Sequence, residues 1–187
     1  FYVQTKNLGG TPQLTFEETH KSSMSAQTNV FRMANEDDTS QTNEFIDLAL
    51  FNQVAFDDND TPSDGLRIDF SSDANNGVDG FDAVKFPNSD ENISRKVEES
   101  LVSMENRGLA QNGDLLPLYI TQYRREAYTM QIRLSSFDSH EVYLKDYYTN
   151  QDTLLENNGI VNYSFTVNDV DTASKNPERF ALSIQEG

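Results

Sequence analysis

The densest run of oxygen-bearing side chains in this chain of 187 residues spans residues 57–64. Four carboxylates, those of Asp57, Asp58, Asp60 and Asp64, fall within this short segment. Calcium takes about six to eight oxygen ligands from carboxylates, amides and backbone carbonyls, and a loop of this composition can wrap around one ion. The spacing departs from that of an EF-hand loop. The segment predicts Ca2+ as a cofactor, with a hydrated acidic turn that holds no ion as the alternative.

Tyrosines gather toward the C-terminal half and suggest a second kind of chemistry. Exposed aromatic faces can stack on sugar rings. Tyr143 lies between Val142 and Leu144, so a strand that buries those two side chains turns Tyr143 outward. Tyr147 and Tyr148 follow directly. The sequence predicts a sugar-binding surface on Tyr143, Tyr147 and Tyr148, and the alternative is that such rings serve packing.

Residue types for nucleophilic or metal catalysis are scarce. The chain has no cysteine, and its two histidines are His20 and His140. It contains no nucleophile elbow, no zinc-protease motif and no glycine-rich phosphate loop. A glycoside hydrolase needs only a pair of carboxylates, which a sequence with 31 acidic residues leaves open as an alternative. We expect the chain not to be an enzyme.

The charge balance narrows the classes of partner. Fourteen basic residues stand against 31 acidic ones, which gives a formal net charge of −17. Between Glu36 and Glu91 there are fifteen acidic residues and two basic ones, so the acidity is local. Such a field repels phosphate backbones and anionic lipid, and it attracts cations. We therefore expect no nucleic-acid partner. Without cysteine there are no disulfides.

Alternating apolar and polar residues predict the strands that would position these groups. The clearest stretches place the following side chains on buried faces: Leu66, Ile68 and Phe70; Tyr128, Met130, Ile132 and Leu134; Val161, Tyr163, Phe165 and Val167; Phe180, Leu182 and Ile184. Less regular strand candidates are 14–16, 30–33, 45–51, 54–56, 81–86, 101–104, 116–120 and 142–144.

Asn and Gly pairs between these stretches mark the turns, as at Asn112-Gly113 and Asn158-Gly159. Strands at this spacing predict an all-β fold, a β-sandwich or jelly roll of antiparallel sheets. At most one short helix is expected, over Ile93, Val97 and Leu101 behind a capping Asp90, with a loop as the alternative. We expect a single domain over residues 1–187, cut from a longer protein because the chain begins without Met.

An ordered set of motifs in the C-terminal two thirds resembles a known module. The motifs are, in order, the segment 81–86 (FDAVKF), 101–104 (LVSM), 128–132 (YTMQI), 142–146 (VYLKD), 163–167 (YSFTV) and 179–183 (RFALS). Together they resemble the β-rich module that lies just ahead of the sorting domain in large surface proteins and gliding adhesins exported by the type IX secretion system. The resemblance covers roughly residues 65–187.

This resemblance implies a cell-surface or extracellular location and a non-catalytic role in presentation or adhesion. Its implied partners are the secretion machinery or neighbouring domains of the same chain. It also suggests Thr153 and Thr172 as O-glycan acceptors, since each follows Asp and precedes an apolar residue. The alternatives are a calcium-assisted carbohydrate-binding module that recognises surface glycans and, further, a carboxylate-pair glycoside hydrolase.

Overall fold

The fold is seen in a computed structural model, which describes residues 44–187. The strands are β1 (Phe45–Asn52), β2 (Asp64–Phe70), β3 (Ala83–Val84), β4 (Asn92–Val97), β5 (Ser100–Arg107), β6 (Leu115–Thr121), β7 (Ala127–Ser135), β8 (His140–Asp146), β9 (Gln151–Leu155), β10 (Ile160–Thr166) and β11 (Phe180–Glu186). An α-helix of five residues, α1 (Gln53–Asp57), follows β1, and a 3-10 helix spans Thr172–Lys175. The described residues are strand-dominated, which confirms the all-β prediction.

The strands form one continuous sheet that nearly closes on itself as a barrel-like sandwich. Its order is β10-β7-β1-β2-β5-β4-β6-β11-β8-β9, with β3 attached to β5. The sheet is mixed, because β2 and β5 run parallel while the other pairs are antiparallel. The parallel pair arises because the chain crosses over through β3 and β4 before β5 returns beside β2. The two ends of the path, β9 and β10, leave one open seam.

One hydrophobic core joins the two halves of the sheet. The four clearest alternating stretches lie where the sequence predicts, with Ile68, Met130 and Leu182 fully buried. Phe165 of β10 and Phe180 of β11 meet across the core with ring centroids 4.9 Å apart. Burial of such side chains supplies the main driving force for folding. Packing between side chains on the inward faces of the strands thus holds the two sides of the open seam together.

The helix predicted over Ile93, Val97 and Leu101 is wrong. Those residues lie in β4 and β5, which form an antiparallel hairpin that pairs Val97 with Ser100. Glu98 in the two-residue turn has φ 51°, the left-handed conformation of a tight hairpin and not of an α-helix. Ile93 is fully buried because its side chain belongs to the hydrophobic core, while β4 pairs with β5 and β6 on either side. Tertiary pairing therefore overrides the apolar spacing.

The short helix lies instead at α1, which covers the weaker strand candidate 54–56, so that candidate is wrong. Asn52 caps it, since its Oδ1 accepts a hydrogen bond of 3.0 Å from the Ala55 N–H. The strand candidate 81–86 is also mostly wrong, because only Ala83–Val84 pairs with β5. Its apolar side chains do not enter the core: Phe81 is 76% exposed.

Two predicted strands, 14–16 and 30–33, fall outside the described residues, and so does His20. Residues 44–187 belong to one compact unit. A single domain over residues 1–187 stays a prediction. Among the described helices, neither length nor apolar character suffices for crossing a bilayer.

Candidate functional site

A cleft of about 350 Å³ opens at the seam between β10 and the turn from β8 to β9. Its lining comes from Gln53, Ala127, Tyr148, Thr149, Gln151, Tyr163, Ser164, Phe165, Thr166 and Arg179. The cleft exists because β9 and β10 are the ends of the sheet path and do not pair with each other. A concave site lined by aromatic rings and a few polar groups is typical of a small-molecule binding site.

A buried ion pair lies beneath the cleft, which Arg179 lines. Arg179 Nε lies 2.8 Å from Asp146 Oδ1, and Arg179 Nη2 lies 2.6 Å from Asp146 Oδ2. The guanidinium also donates from Nη1 to the carbonyl oxygens of Thr166, at 2.8 Å, and Ser174, at 3.1 Å. The exposed fractions of the two charged side chains are 2% and 0%. A two-pronged pair of this kind is both strong and directional.

Asp146 is saturated by hydrogen-bond donors. Besides Arg179, its carboxylate accepts from the hydroxyl of Tyr163 at 2.9 Å, and from the backbone N–H groups of Tyr148 at 2.9 Å and Thr149 at 3.3 Å. Burial alone would raise the pKa of Asp146, but the hydrogen bonds from Arg179 and Tyr163 and the charge of Arg179 lower it below its usual value. Asp146 is therefore a stably ionised structural group and a weak base.

The ring of Tyr148 forms an aromatic wall of the cleft. The Arg179 guanidinium carbon lies 4.7 Å from the centre of this ring, and it also lies close to Phe165 and Phe180. The Tyr148 hydroxyl donates a hydrogen bond of 2.8 Å to Asp171 Oδ2, which raises the pKa of Tyr148. The side chain is still 42% exposed. The ring is thus held in place at one end and behind, and offers its remaining surface to solvent.

Polar groups form the opposite side of the cleft. Thr129 Oγ1 lies 2.9 Å from both Gln53 Oε1 and Ser164 Oγ, which places α1 against the outer face of β7 and β10. Gln151, at the start of β9, is exposed. Amide and hydroxyl groups can both donate and accept hydrogen bonds. The cleft therefore combines a ring face with uncharged polar groups.

The three tyrosines predicted to bind ligand are not gathered in one site. Tyr143 faces outward on β8, as predicted, and its hydroxyl donates to Glu141 Oε2 at 2.6 Å. Tyr147 is 52% exposed, and its backbone N–H donates to the Arg179 carbonyl at 2.9 Å. Only Tyr148 of the three lines the cleft. A role in ligand binding for Tyr143 and Tyr147 stays a prediction.

Three of the four acidic residues predicted to bind calcium have separate side-chain partners. Asp57 accepts from Gln53 Nε2 at 2.9 Å, and Asp60 accepts from the Thr61 N–H at 2.7 Å. Asp64 forms a buried ion pair with Lys85 and accepts from the Ile93 N–H. Asp58 ends α1. In residues 44–187, no group of three or more histidines and carboxylates is placed to hold a metal ion. Calcium binding at 57–64 stays a prediction.

The two threonines predicted to carry O-glycans differ in accessibility. Thr153 is half-buried in β9, where it pairs with the buried Leu144. Thr172 is exposed at the start of the 3-10 helix, directly after its capping residue Asp171. Thr172 is therefore the more accessible acceptor. Modification at either position stays a prediction.

A second set of buried charges lies apart from the cleft, on β4 and β5. Arg95 Nε lies 2.9 Å from Glu105 Oε2, and Arg107 Nη2 lies 3.2 Å from Asp114 Oδ2. Burial raises the pKa of Glu105, although the charges of Arg95 and Arg107 oppose the rise. The side chains of Arg95, Glu105 and Arg107 are nearly inaccessible to solvent. This network neutralises itself inside the sheet, and we assign it a structural role.

Sequence reasoning missed Arg179, Asp146 and Gln151. Arg179 and Asp146 stand at the ends of two of the motifs that carry the resemblance, but a buried arginine cannot be told from an exposed one until its partner is known. The signal that could have found them is position, since each lies at the end of a strand predicted to be buried. Comparison with protein-family models, with curated proteins and with solved structures found no match for this chain.

Proposed function

We propose that this protein is a non-catalytic β-sandwich module of a large adhesin-like surface protein exported by the type IX secretion system. Its role is presentation or adhesion at the cell surface, and its partners are the secretion machinery or neighbouring domains. Support for the family comes from the ordered motif set over roughly residues 65–187. Support for the non-catalytic role comes from the cleft.

The observation that carries the proposal is the saturated state of Asp146. A glycoside hydrolase uses one carboxylic acid with a raised pKa and a second carboxylate as base or nucleophile. Beneath the cleft, the pKa of Asp146 is lowered and both of its oxygens accept hydrogen bonds. The described residues that line the cleft include no carboxylate. These facts favour a binding or structural role over hydrolysis.

The same contacts suit a module that must hold its shape outside the cell. Arg179 ties β8 and β11 to the carbonyl of Thr166 at the end of β10, and so clamps the open seam. The clamp uses buried groups and needs no disulfide. A rigid unit transmits position to neighbouring domains without changing shape.

Two experiments on the full chain test this proposal. In the first, a broad polysaccharide panel is incubated with the protein across pH 4 to 8 and analysed for reducing ends; we expect no release. In the second, antibodies against the domain label intact cells of a type IX-competent host, and we expect the label to vanish in a secretion-deficient mutant of that host. Turnover of any glycan, or labelling that survives the secretion defect, would refute the corresponding half of the proposal.

A further inference from the structure

We infer that the seam cleft binds a neutral sugar unit of a glycan without calcium. This inference rests on the proposed non-catalytic adhesive function and names its ligand class. The ring of Tyr148 is the stacking surface, while Gln151 and the edge of β10 that pairs with no other described strand supply hydrogen bonds.

The ring of Tyr148 is held in place before any ligand binds. Sugar rings present a C–H face that packs well on an aromatic ring, and binding is stronger when the platform is fixed beforehand. Tyr148 is fixed by its hydroxyl at Asp171 and by Arg179 packed behind it. With 42% of its surface exposed, it keeps an accessible face.

The backbone of β10 directs alternate hydrogen-bonding groups toward the seam. The Val167 N–H donates to the Glu126 carbonyl at 2.8 Å, and the Leu134 N–H donates to the Gly159 carbonyl at 3.3 Å. In an antiparallel pair, alternate residues bond to the neighbouring strand, so the odd-numbered residues of β10 bond to β7. The backbone groups of Asn162 and Ser164 therefore point away from β7, toward the seam. The Thr166 carbonyl follows the same rule, since it accepts from Arg179.

An edge strand of this kind presents donors and acceptors in alternation. Sugar hydroxyl groups need both, as each can donate one hydrogen bond and accept others. The exposed amide of Gln151 stands across the cleft from the β10 edge and adds one more donor and acceptor. The volume of about 350 Å³ suits a short segment of glycan and not a large folded partner.

The electrostatics of the cleft favour an uncharged ligand. The cation that lines the cleft, Arg179, is 3% exposed and is neutralised by Asp146. The Asp171 carboxylate lies at the rim, and the whole chain carries a net charge of −17. A uronate or sulfate group would meet repulsion, and the described residues that line the cleft offer it no unpaired cation. The ligand is therefore a neutral sugar.

Sugar binding at the seam cleft does not depend on calcium. The two carboxylates next to the cleft, those of Asp146 and Asp171, already accept hydrogen bonds from Arg179 and from the Tyr148 hydroxyl, and no group of three or more histidines and carboxylates among the described residues is placed to hold a metal ion. Recognition by Tyr148, Gln151 and the strand edge needs no metal ion. Binding is thus insensitive to chelator, which separates this inference from a calcium-assisted module at residues 57–64.

The test is a glycan array of neutral, uronic and sulfated glycans probed with the full chain, in calcium and again in EDTA. The best-bound neutral oligosaccharide is then titrated by calorimetry against Y148A and Q151A. We expect Y148A to weaken binding by about tenfold and Q151A by about threefold to tenfold. The matched controls Y143A and Y147A alter tyrosines outside the cleft and should stay within about twofold of the native affinity.

Q151A guards against a loss of folding, since Gln151 is exposed whereas Tyr148 packs on Arg179. Native affinity in both cleft variants, a preference for anionic glycans, or loss of binding in EDTA would overturn the inference. So would an absence of glycan binding in which an extended peptide instead shifts the amide signals of residues 162–166, since strand edges also accept peptides. Failure here without any glycan turnover leaves the proposed function intact, whereas turnover would refute that function instead.

Discussion

Arg179 and Asp146 form a two-pronged ion pair that closes the open side of the sandwich. Both N–O distances are under 3 Å, at 2.8 and 2.6 Å, and both side chains are almost completely buried. Asp146 ends β8, Arg179 precedes β11, and the third contact of Arg179 reaches the last residue of β10. The pair thus links β10, one end of the sheet path, to β8 and β11, with which β10 forms no ladder in the described residues.

Removal of the arginine should be severely destabilising. R179M leaves the buried Asp146 carboxylate without its main partner, and we expect the free energy of unfolding in urea to fall by about 3 to 5 kcal/mol. The matched control is K145M, which removes the more exposed pair of Lys145 with Asp152 and should cost less than about 1 kcal/mol. Equal losses of unfolding free energy in R179M and K145M would contradict the role of Arg179 in holding the seam closed.

Acid should weaken the fold partly through Glu91. Burial alone would raise its pKa, but hydrogen bonds from the Tyr128 hydroxyl, at 2.7 Å, and from backbone N–H groups lower it. A lowered folded-state pKa contributes stability above the unfolded value of about 4.3, and that stability is lost as the pH falls through the folded value. E91Q should therefore lose about 1 to 2 kcal/mol at pH 7 and approach the native protein near pH 3.

The control for this measurement is E156Q, at an exposed glutamate with no such partner in the described residues. Urea unfolding at pH 7, 5 and 3 gives the comparison. A penalty for E91Q that is constant across this range would show that the ionised form of Glu91 is not what stabilises the fold.

The hairpin between β4 and β5 carries a strained residue. Glu98 has φ 51°, a conformation that costs a non-glycine residue roughly 1 kcal/mol. E98G should therefore raise the free energy of unfolding by up to about 1 kcal/mol. E99G, at the neighbouring turn residue without positive φ, should be neutral or destabilising. Destabilisation by E98G equal to that by E99G would argue for a different turn.

The exposed phenylalanine of the DAxK-like segment should contribute little to stability. F81S should change the free energy of unfolding by less than about 0.5 kcal/mol, because Phe81 is 76% exposed. F70A is the matched comparison, since Phe70 is 1% exposed and packs edge-on against Phe137; it should cost about 3 to 5 kcal/mol. A large loss for F81S would mean that this side chain is covered in solution.

Strand alternation predicted most of the architecture because burial on one face leaves a direct trace in the sequence. Leu66, Ile68 and Phe70 show this trace, and so does Tyr143, which faces outward between two buried neighbours. The hairpin at Glu98 left no such trace, because its turn lacks Gly and Asn while Ile93 and Val97 have the spacing of a helix. The five-residue α1 is too short to show a periodic pattern.

The candidate site could be predicted only in part. Tyr148 stood out as an aromatic residue in a polar context, but its role depends on Arg179 and Asp171, which lie 31 and 23 residues away in the chain. The cleft exists because β9 and β10 are the unpaired ends of the sheet path, and strand order cannot be read from alternation. Composition alone suggested a calcium site at residues 57–64, whereas in the structure Asp64 pairs with Lys85.

The seam cleft is inferred to bind a neutral glycan without cleaving it. The most direct measurement follows the full chain and the best-bound neutral oligosaccharide in one NMR sample. We predict that amide signals of residues 148–151 and 162–166 shift on addition of the sugar, in calcium and in EDTA alike, and that the oligosaccharide stays intact. Cleavage products, or shifts confined to residues 57–64 and abolished by EDTA, would contradict the claim.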